Sequence, residues 1–292
     1  MGANRDPEEW RSGGSVSAAR PSRAPCRCRE FDPHPVHGYS LPVKAISASS
    51  GKHFHLSISL RPFLQIGTRI RQTLLAQDCL LCQAASGERL LCAACERELP
   101  AAASACPRCA LGGSSNAECG ACIANPPHYD ASYAAFVYAY PVDTLMQALK
   151  YGGQLALARL FAHKLHQRIG NAAGVDLIVP LPLHPARLAE RGFNQAAEIG
   201  RALSRSTGIA MDTQLAHRAR NTAPQTGLPW RERAANIRRA FFCERDLAGL
   251  RVAVVDDVMT TGATLQEFAR TLKHSGAARV ENWVVARTPR GV

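Results

Sequence analysis

The sequence predicts an α/β protein, a mainly parallel sheet with flanking helices, preceded by a small cysteine-rich module. Three observations carry that expectation. Residues 252–255 are a continuous run of Val and Ala, the pattern of a strand buried on both faces, and residues 175–182 and 280–286 are further Val-rich segments that read as strands. Segments of helical period separate them, which is the order that produces parallel neighbours. Finally, eight of the eleven cysteines fall in four Cys-x-x-Cys pairs between residues 79 and 122, apart from the α/β pattern.

At 292 residues the chain has room for one ordinary domain and something smaller. Its 46% hydrophobic content can build a core, and no apolar run approaches bilayer length, so no membrane span is expected. The start, Met1-Gly2-Ala3-Asn4-Arg5-Asp6, lacks the apolar centre of a secretory signal. Cysteines in tight pairs favour metal in a reducing compartment over disulfides, so the expected location is cytoplasmic. A formal charge of +12 would attract polyanions, nucleic acid first. Residues 1–70 hold ten Lys and Arg against five Asp and Glu, so +5 of that total lies outside the expected folded unit.

Taken in order, residues 1–56 show no sustained period and are rich in Arg, Ser, Pro and Gly; disorder is expected. An over-long start, with this segment never made, is the other reading. Leu60, Phe63, Leu64, Ile66, Ile70, Leu74 and Leu75 fit one face of a lead helix, which with the cysteines makes a second module, 57–125. The pairs are Cys79/Cys82, Cys92/Cys95, Cys106/Cys109 and Cys119/Cys122, separated by nine, ten and nine residues. A two-residue gap lets both thiolates of a tight knuckle face one ion, and four thiolates close a tetrahedral zinc site with no open position. Sequential pairing into two structural zinc ribbons is preferred. A crossed pairing, first with third and second with fourth, uses the same spacing, so one or two zinc ions are expected. A segment this short buries little core and should need its metal to fold.

The third module, 126–292, begins with a β-rich alternation at residues 135–140. A helix from about residue 141 stops at Gly152-Gly153, and a second runs over 155–169 with Leu157, Leu160, Phe161 and Leu165 as its apolar stripe. Lys150, at a helix end, suits either the helix dipole or a substrate. The strand at 175–182 stops at Pro180 and Pro182. Beyond it Arg187, Arg191, Asn194 and Gln195 suit pyrophosphate oxygens, because the arginine fork matches them; a solvated helix start is the bland alternative. A helix follows over 194–206. Residues 215–242 form a long, basic, polar segment centred on Gln225, broken over 221–229 by Pro224, Gly227 and Pro229. It reads as a flap over a ligand and, through Arg218, Arg220, Arg231, Arg233, Arg238 and Arg239, also as the best nucleic-acid patch.

The strand at 252–255 leads into Asp256-Asp257-Val258-Met259-Thr260-Thr261-Gly262-Ala263-Thr264, then a helix to about residue 275 and a last strand. Ligands of open α/β sheets bind at the carboxyl ends of strands. Backbone N–H groups at a helix start, with threonine hydroxyls, suit a phosphate monoester. The two acids would repel a phosphate and suit hydroxyls or a metal ion. Together they describe a sugar phosphate lying across a strand end.

This stretch resembles the phosphoribosyl pyrophosphate fingerprint of type I phosphoribosyltransferases. The resemblance implies that Asp256 and Asp257 hold the ribose hydroxyls and that Thr260, Thr261, Gly262, Ala263 and Thr264 hold the 5′-phosphate, with Mg²⁺ on the ligand. Residues 74–290 as a whole resemble the ComF family, through Cys79-Leu80-Leu81-Cys82, Leu149-Lys150-Tyr151, Arg191-Gly192-Phe193-Asn194-Gln195, Thr222 with Gln225, Arg233 with Asn236, and the fingerprint. That resemblance implies a double zinc ribbon joined to a type I phosphoribosyltransferase-like sheet, and an association with competence, the uptake of single-stranded DNA beside a competence helicase. Asp256 and Asp257 are then the catalytic candidates, fixing the sugar as cationic character develops. No residue stands out as general base for an acceptor, so transfer, ligand sensing, a DNA-uptake adaptor and nucleobase salvage all stay open.

Overall fold

The computed structural model describes residues 77–113, 116–170, 174–219 and 239–289. The expected disordered extension, the lead helix, and the centre of the flap, residues 220–238 with Gln225, lie outside the described residues. The described elements are β1 (Gln77–Asp78), β2 (Ala85–Gly87), α1 (Ala93–Arg97), α2 (Gly120–Ala124), β3 (Ala131–Val137), α3 (Val142–Tyr151) and α4 (Ala156–Ile169). They continue as β4 (Leu177–Pro180), α5 (Pro185–Arg191), α6 (Gln195–Thr207), β5 (Ala210–Met211), β6 (Ala216–Arg218), β7 (Phe241–Cys243), β8 (Arg251–Met259), α7 (Ala263–His274) and β9 (Arg279–Arg287).

Five strands form the main sheet in the order β3-β9-β8-β4-β5, every neighbouring pair parallel. Val252 to Val255 are fully buried, as a strand covered on both faces requires. Even and odd residues of β8 enter different cores. Val252 and Val254 pack with Phe268 and Leu272 of α7. Ala253 and Val255 pack with Leu145 and Met146 of α3 and Phe161 of α4. The chain runs from β4 outward to β5, then returns to β8 on β4's other side and continues to β9. The strand order therefore reverses between β4 and β8, and the crevice beyond their carboxyl ends is where such sheets bind ligands.

Packing runs across residue 125. Ala102 N donates to Ala135 O (3.0 Å), Val137 N to Pro100 O (2.8 Å) and Ser132 N to Pro107 O (2.9 Å), so the cysteine-rich segment covers the edge of β3. Its two halves serve opposite faces. Cys79 and Cys95 are buried in the α3/α4 core, and Cys106, Cys109 and Cys122 in the α7 core.

Three details differ from the sequence reading. The first sheet strand starts at Ala131, not near residue 135, because its pairing with β9 begins at Glu281. Ala131, Ser132 and Ala134 are weak strand formers, and the partner strand and the cysteine-rich backbone dictate their conformation. The segment after β4 is the short helix α5, capped by His184 Nδ1 accepting from Ala186 N and ended by Gly192 in the left-handed region. The two ends of the expected flap pair as an antiparallel ribbon, β6 with β7, too short to show a period.

Candidate functional site

The two cysteine quartets are sequential: Cys79, Cys82, Cys92 and Cys95 in one, Cys106, Cys109, Cys119 and Cys122 in the other, each with ligand atoms within 4.8 Å of one another. The nine described cysteines are all free of disulfides. Sulfurs of Cys82 and Cys92, and of Cys109 and Cys119, stand 3.7 Å apart. Tetrahedral zinc with Zn–S near 2.3 Å needs sulfur spacings of roughly 3.8 Å. Cys95 N donates to Cys92 Sγ and Cys119 N to Cys106 Sγ, bonds that favour thiolate and fix its direction. Donor set and spacing fit two structural zinc ions, with no position left for substrate.

The second cluster lies at the sheet switch point. Asp256 and Asp257 sit near the carboxyl end of β8, both half-buried and, by strand alternation, on opposite faces. Asp257 Oδ2 meets Lys150 Nζ of α3 at 2.6 Å. Burial disfavours the lysine's charge, but Asp257, then Asp256, more than restore it and raise its pKa. Asp256 is pushed up to about 8, by burial first and then by the neighbouring charge of Asp257; Lys150 and Arg218 oppose the shift. Arg218, at the end of β6, has its guanidinium 5.5 Å from the centre of the Phe241 ring. Burial and the charge of Arg187 lower its pKa, while Asp256 raises it. Arg218 therefore reaches the field of Asp256, and Arg187 that of Arg218.

Downstream, Gly262 caps α7 with φ of +82°, and a Cβ there would stand 2.8 Å from Met259 Cε and 3.2 Å from the Tyr129 hydroxyl. Only glycine suits this turn. Ala263 N is bonded to Thr261 Oγ1, and α7 has no acid in its first turn. Thr260 is exposed and Thr261, Ala263 and Thr264 are half-buried. This is a helix start open to an anion.

The residues after β4 are engaged more locally than expected. Asn194 caps α6 by accepting from Ala196 N and Ala197 N, and its amide donates to Leu181 O. Gln195 is buried and accepts from Arg191 Nη1. Arg191 also lies over the Tyr151 ring, 5.2 Å from its centre, and donates to the Tyr151 hydroxyl. Asn194 thus shapes the loop, Gln195 orients an arginine, and Arg187 and Arg191 remain the cationic groups. Sequence reasoning left Lys150 undecided and placed Arg218 only in a general basic patch. An apolar strand ending in an arginine, Arg287, was the one further signal it could have used.

Comparison with known proteins agrees with this geometry. Residues 70–123 match the double zinc ribbon domain and residues 154–292 the phosphoribosyl transferase domain. A double zinc ribbon built onto a phosphoribosyltransferase sheet is the class that fold and site define. The chain is 35% identical over 205 residues to DNA utilization protein YhgH of Salmonella typhi, covering 68% of this chain and 90% of that protein. With the Escherichia coli K12 protein of the same name, identity is 34% over 219 residues, 72% of this chain and 96% of the relative. Competence protein F of Haemophilus influenzae is 30% identical over 210 residues, 68% and 90% of the two chains. The chain belongs to the ComF family. Among the described residues no helix is long and apolar enough to cross a membrane.

Proposed function

We propose that the chain binds phosphoribosyl pyrophosphate with Mg²⁺ in the crevice between β4 and β8, and that this binding serves the handling of DNA that its relatives' names describe. One observation carries the reading. Two adjacent, half-buried acids at the switch point are followed directly by a glycine-capped helix start, with Lys150 and Arg218 in the field of Asp256. In this reading Asp256 and Asp257 accept hydrogen bonds from the ribose hydroxyls, and residues 260–264 donate to the 5′-phosphate. Arg187 and Arg191, with Gln225 from the flap, take the pyrophosphate. The carboxylates fit a hard cation, because a cation or hydroxyl donors would offset the burial, and then the charge of Asp257, that push Asp256 upward. When bound, Mg²⁺ would supply charge neutralisation at the pyrophosphate.

The chain's own contribution to a transfer would be electrostatic: acids fixing the sugar, arginines holding the leaving pyrophosphate. The described residues offer no positioned base for an acceptor. Calorimetry on the zinc-loaded chain should give saturable, Mg²⁺-dependent heat with phosphoribosyl pyrophosphate, abolished by Asp256→Ala with Asp257→Ala. Absence of heat in the wild type, or undiminished heat in the double variant, sinks the reading. A screen for pyrophosphate release with candidate bases and amines separates transfer from sensing.

A second surface supports contact with single-stranded DNA. Between α4 and α6 runs a groove of about 420 Å³ lined by Arg159, His163, His166, Arg205, Ser206, Ala162 and Ala202, with no acid among them. It also lacks aromatics, so contact would be to phosphates without base stacking. Oligonucleotide affinity should fall steeply with salt and drop with Arg159→Ala plus Arg205→Ala. If affinity is absent at low salt, a protein such as a helicase is the better partner.

A further inference from the structure

Arg287, the last residue of β9, is 9% exposed and makes a set of bonds that the proposed chemistry does not use. Its Nε donates to the carbonyl of Cys109 (3.0 Å), one of the four residues of the second zinc quartet. Its Nη1 donates to Met259 O (2.9 Å), to Thr260 O and to Thr288 O (3.1 Å). Met259 ends β8 and Thr260 opens the phosphate loop. One planar guanidinium therefore spans the zinc knuckle and the loop. Two further ties follow the same route. Arg108, inside the Cys106–Cys109 knuckle, donates to Tyr129 O, and the buried Tyr129 hydroxyl lies behind Gly262. His128 N donates to Gln266 Oε1 (2.8 Å) in the first turn of α7.

We propose that the second zinc ribbon, acting through Arg287, sets the conformation of the loop at residues 260–264, so that zinc at Cys106, Cys109, Cys119 and Cys122 and a phosphate ligand in that loop bind with positive coupling. The proposal rests on reading the loop as the 5′-phosphate cradle. Its physical basis is the cost of leaving a buried guanidinium donor unmatched. While zinc fixes the knuckle, the Cys109 carbonyl holds Nε, and Nη1 is aimed at the loop carbonyls. Without the ion the knuckle is released, and Arg287 loses the acceptor that orients its fork. Among the described residues the first quartet has no such tie: its helix α1 is joined to α4 through Glu96 and Lys164 (2.7 Å) and its cysteines face the other core. Coupling should be confined to the second quartet. Arg287 is thus a positioning residue, and lysine would not replace it, since a point charge cannot hold both carbonyl groups of the fork.

Linkage makes the test reciprocal: if zinc strengthens ligand binding, the ligand must strengthen zinc binding by the same factor. Wild-type protein loaded with two zinc ions is equilibrated against a chelator of known affinity, with and without phosphoribosyl pyrophosphate and Mg²⁺. Released thiols are alkylated and mapped by peptide, which reads the quartets separately. The expected result is about tenfold higher zinc affinity at Cys106–Cys122, within the ~5–150-fold range of coupled sites, and less than about twofold at Cys79–Cys95. Arg287→Lys should keep both zinc ions and lose the difference. Calorimetric heat with equal protection of both quartets, or a difference that survives Arg287→Lys, overturns the coupling and leaves the binding site standing. No calorimetric heat in the wild type overturns both. The wild-type comparison needs no variant to fold.

Discussion

Replacing Lys150 by methionine removes the cation that lies 2.6 Å from Asp257 while keeping the apolar stem. The two side chains are 20% and 15% exposed, so solvent can screen the orphaned carboxylate only in part. Breaking a fully buried pair from one side costs about 3–5 kcal/mol. Partial exposure lowers that figure, and the adjacent Asp256, which also feels Lys150, raises it again. The net expectation is a loss of about 2–3 kcal/mol, or roughly 5–10 °C in Tm for a unit of this size. Asp257→Asn should cost less, about 1 kcal/mol, because Lys150 keeps Asp256 as a partner. The double variant should recover about 2 kcal/mol of the summed losses. Urea denaturation of zinc-saturated protein at pH 7.5 closes this cycle, and the deficit of Lys150→Met should shrink when ligand and Mg²⁺ supply the acids with other partners. A coupling energy below about 0.5 kcal/mol would mean that the pair is a surface contact and that the acids are not mutually strained.

Other consequences follow from the same geometry. Asp256 has its pKa raised from 3.8 to about 8, so the folded state holds that proton more tightly than the unfolded chain. Its contribution is fully present below about pH 4 and lost as pH rises towards 8. Melting curves from pH 6 to 9 should therefore show Asp256→Asn gaining on the wild type as pH rises; parallel curves would contradict the shift. Gly262→Ala should weaken phosphate-ligand binding about tenfold in calorimetry, since φ of +82° costs an L-residue about 1–2 kcal/mol and buried Tyr129 limits the escape of a new Cβ. Zinc removal should lower the whole unit's melting in scanning calorimetry as one transition, because cysteines of both quartets lie in the sheet's cores. A second transition left where it was would show that the sheet folds without the ribbons.

What the sequence made legible follows from the range of the interactions involved. Strand β9 and helices α4, α6 and α7 owe their identity to local period and composition, so they were readable within a residue or two. By contrast, β8 runs four residues beyond the apolar run 252–255, through Asp256 and Asp257 to Met259, because its pairing with β9 continues there. The cysteine quartets were readable because a metal knuckle imposes its spacing on contiguous residues. Ala131 and Ser132 were not recognised as strand, since their conformation comes from β9 and from backbone at Pro100 and Pro107. Asn194 looked like a ligand contact because its residue type serves both purposes; only the distances to Ala196 N and Leu181 O reveal the cap. Arg218 and Lys150 reach the acids from β6 and α3, separated from β8 by tens of residues, and nothing in their own neighbourhoods announces it.

The charges in the crevice also separate the two surfaces. Lys150 and Arg218 lie in the field of Asp256, so cations and acids share one partly desolvated space. A ligand satisfies both signs only if it carries hydroxyls or a cation on one side and phosphates on the other. A sugar bearing two phosphate groups does so. A run of DNA phosphodiesters does not, because it would bring anions against two acids where burial, and then the charge of Asp257, already raise Asp256. The groove between α4 and α6 has the opposite character: Arg159, His163, His166 and Arg205 line it without a carboxylate. If the chain touches DNA, its phosphates belong at that groove, and the crevice is left to the small ligand. Substitutions there should then alter oligonucleotide affinity without altering the heat of sugar-phosphate binding, and Asp256→Ala with Asp257→Ala should do the reverse.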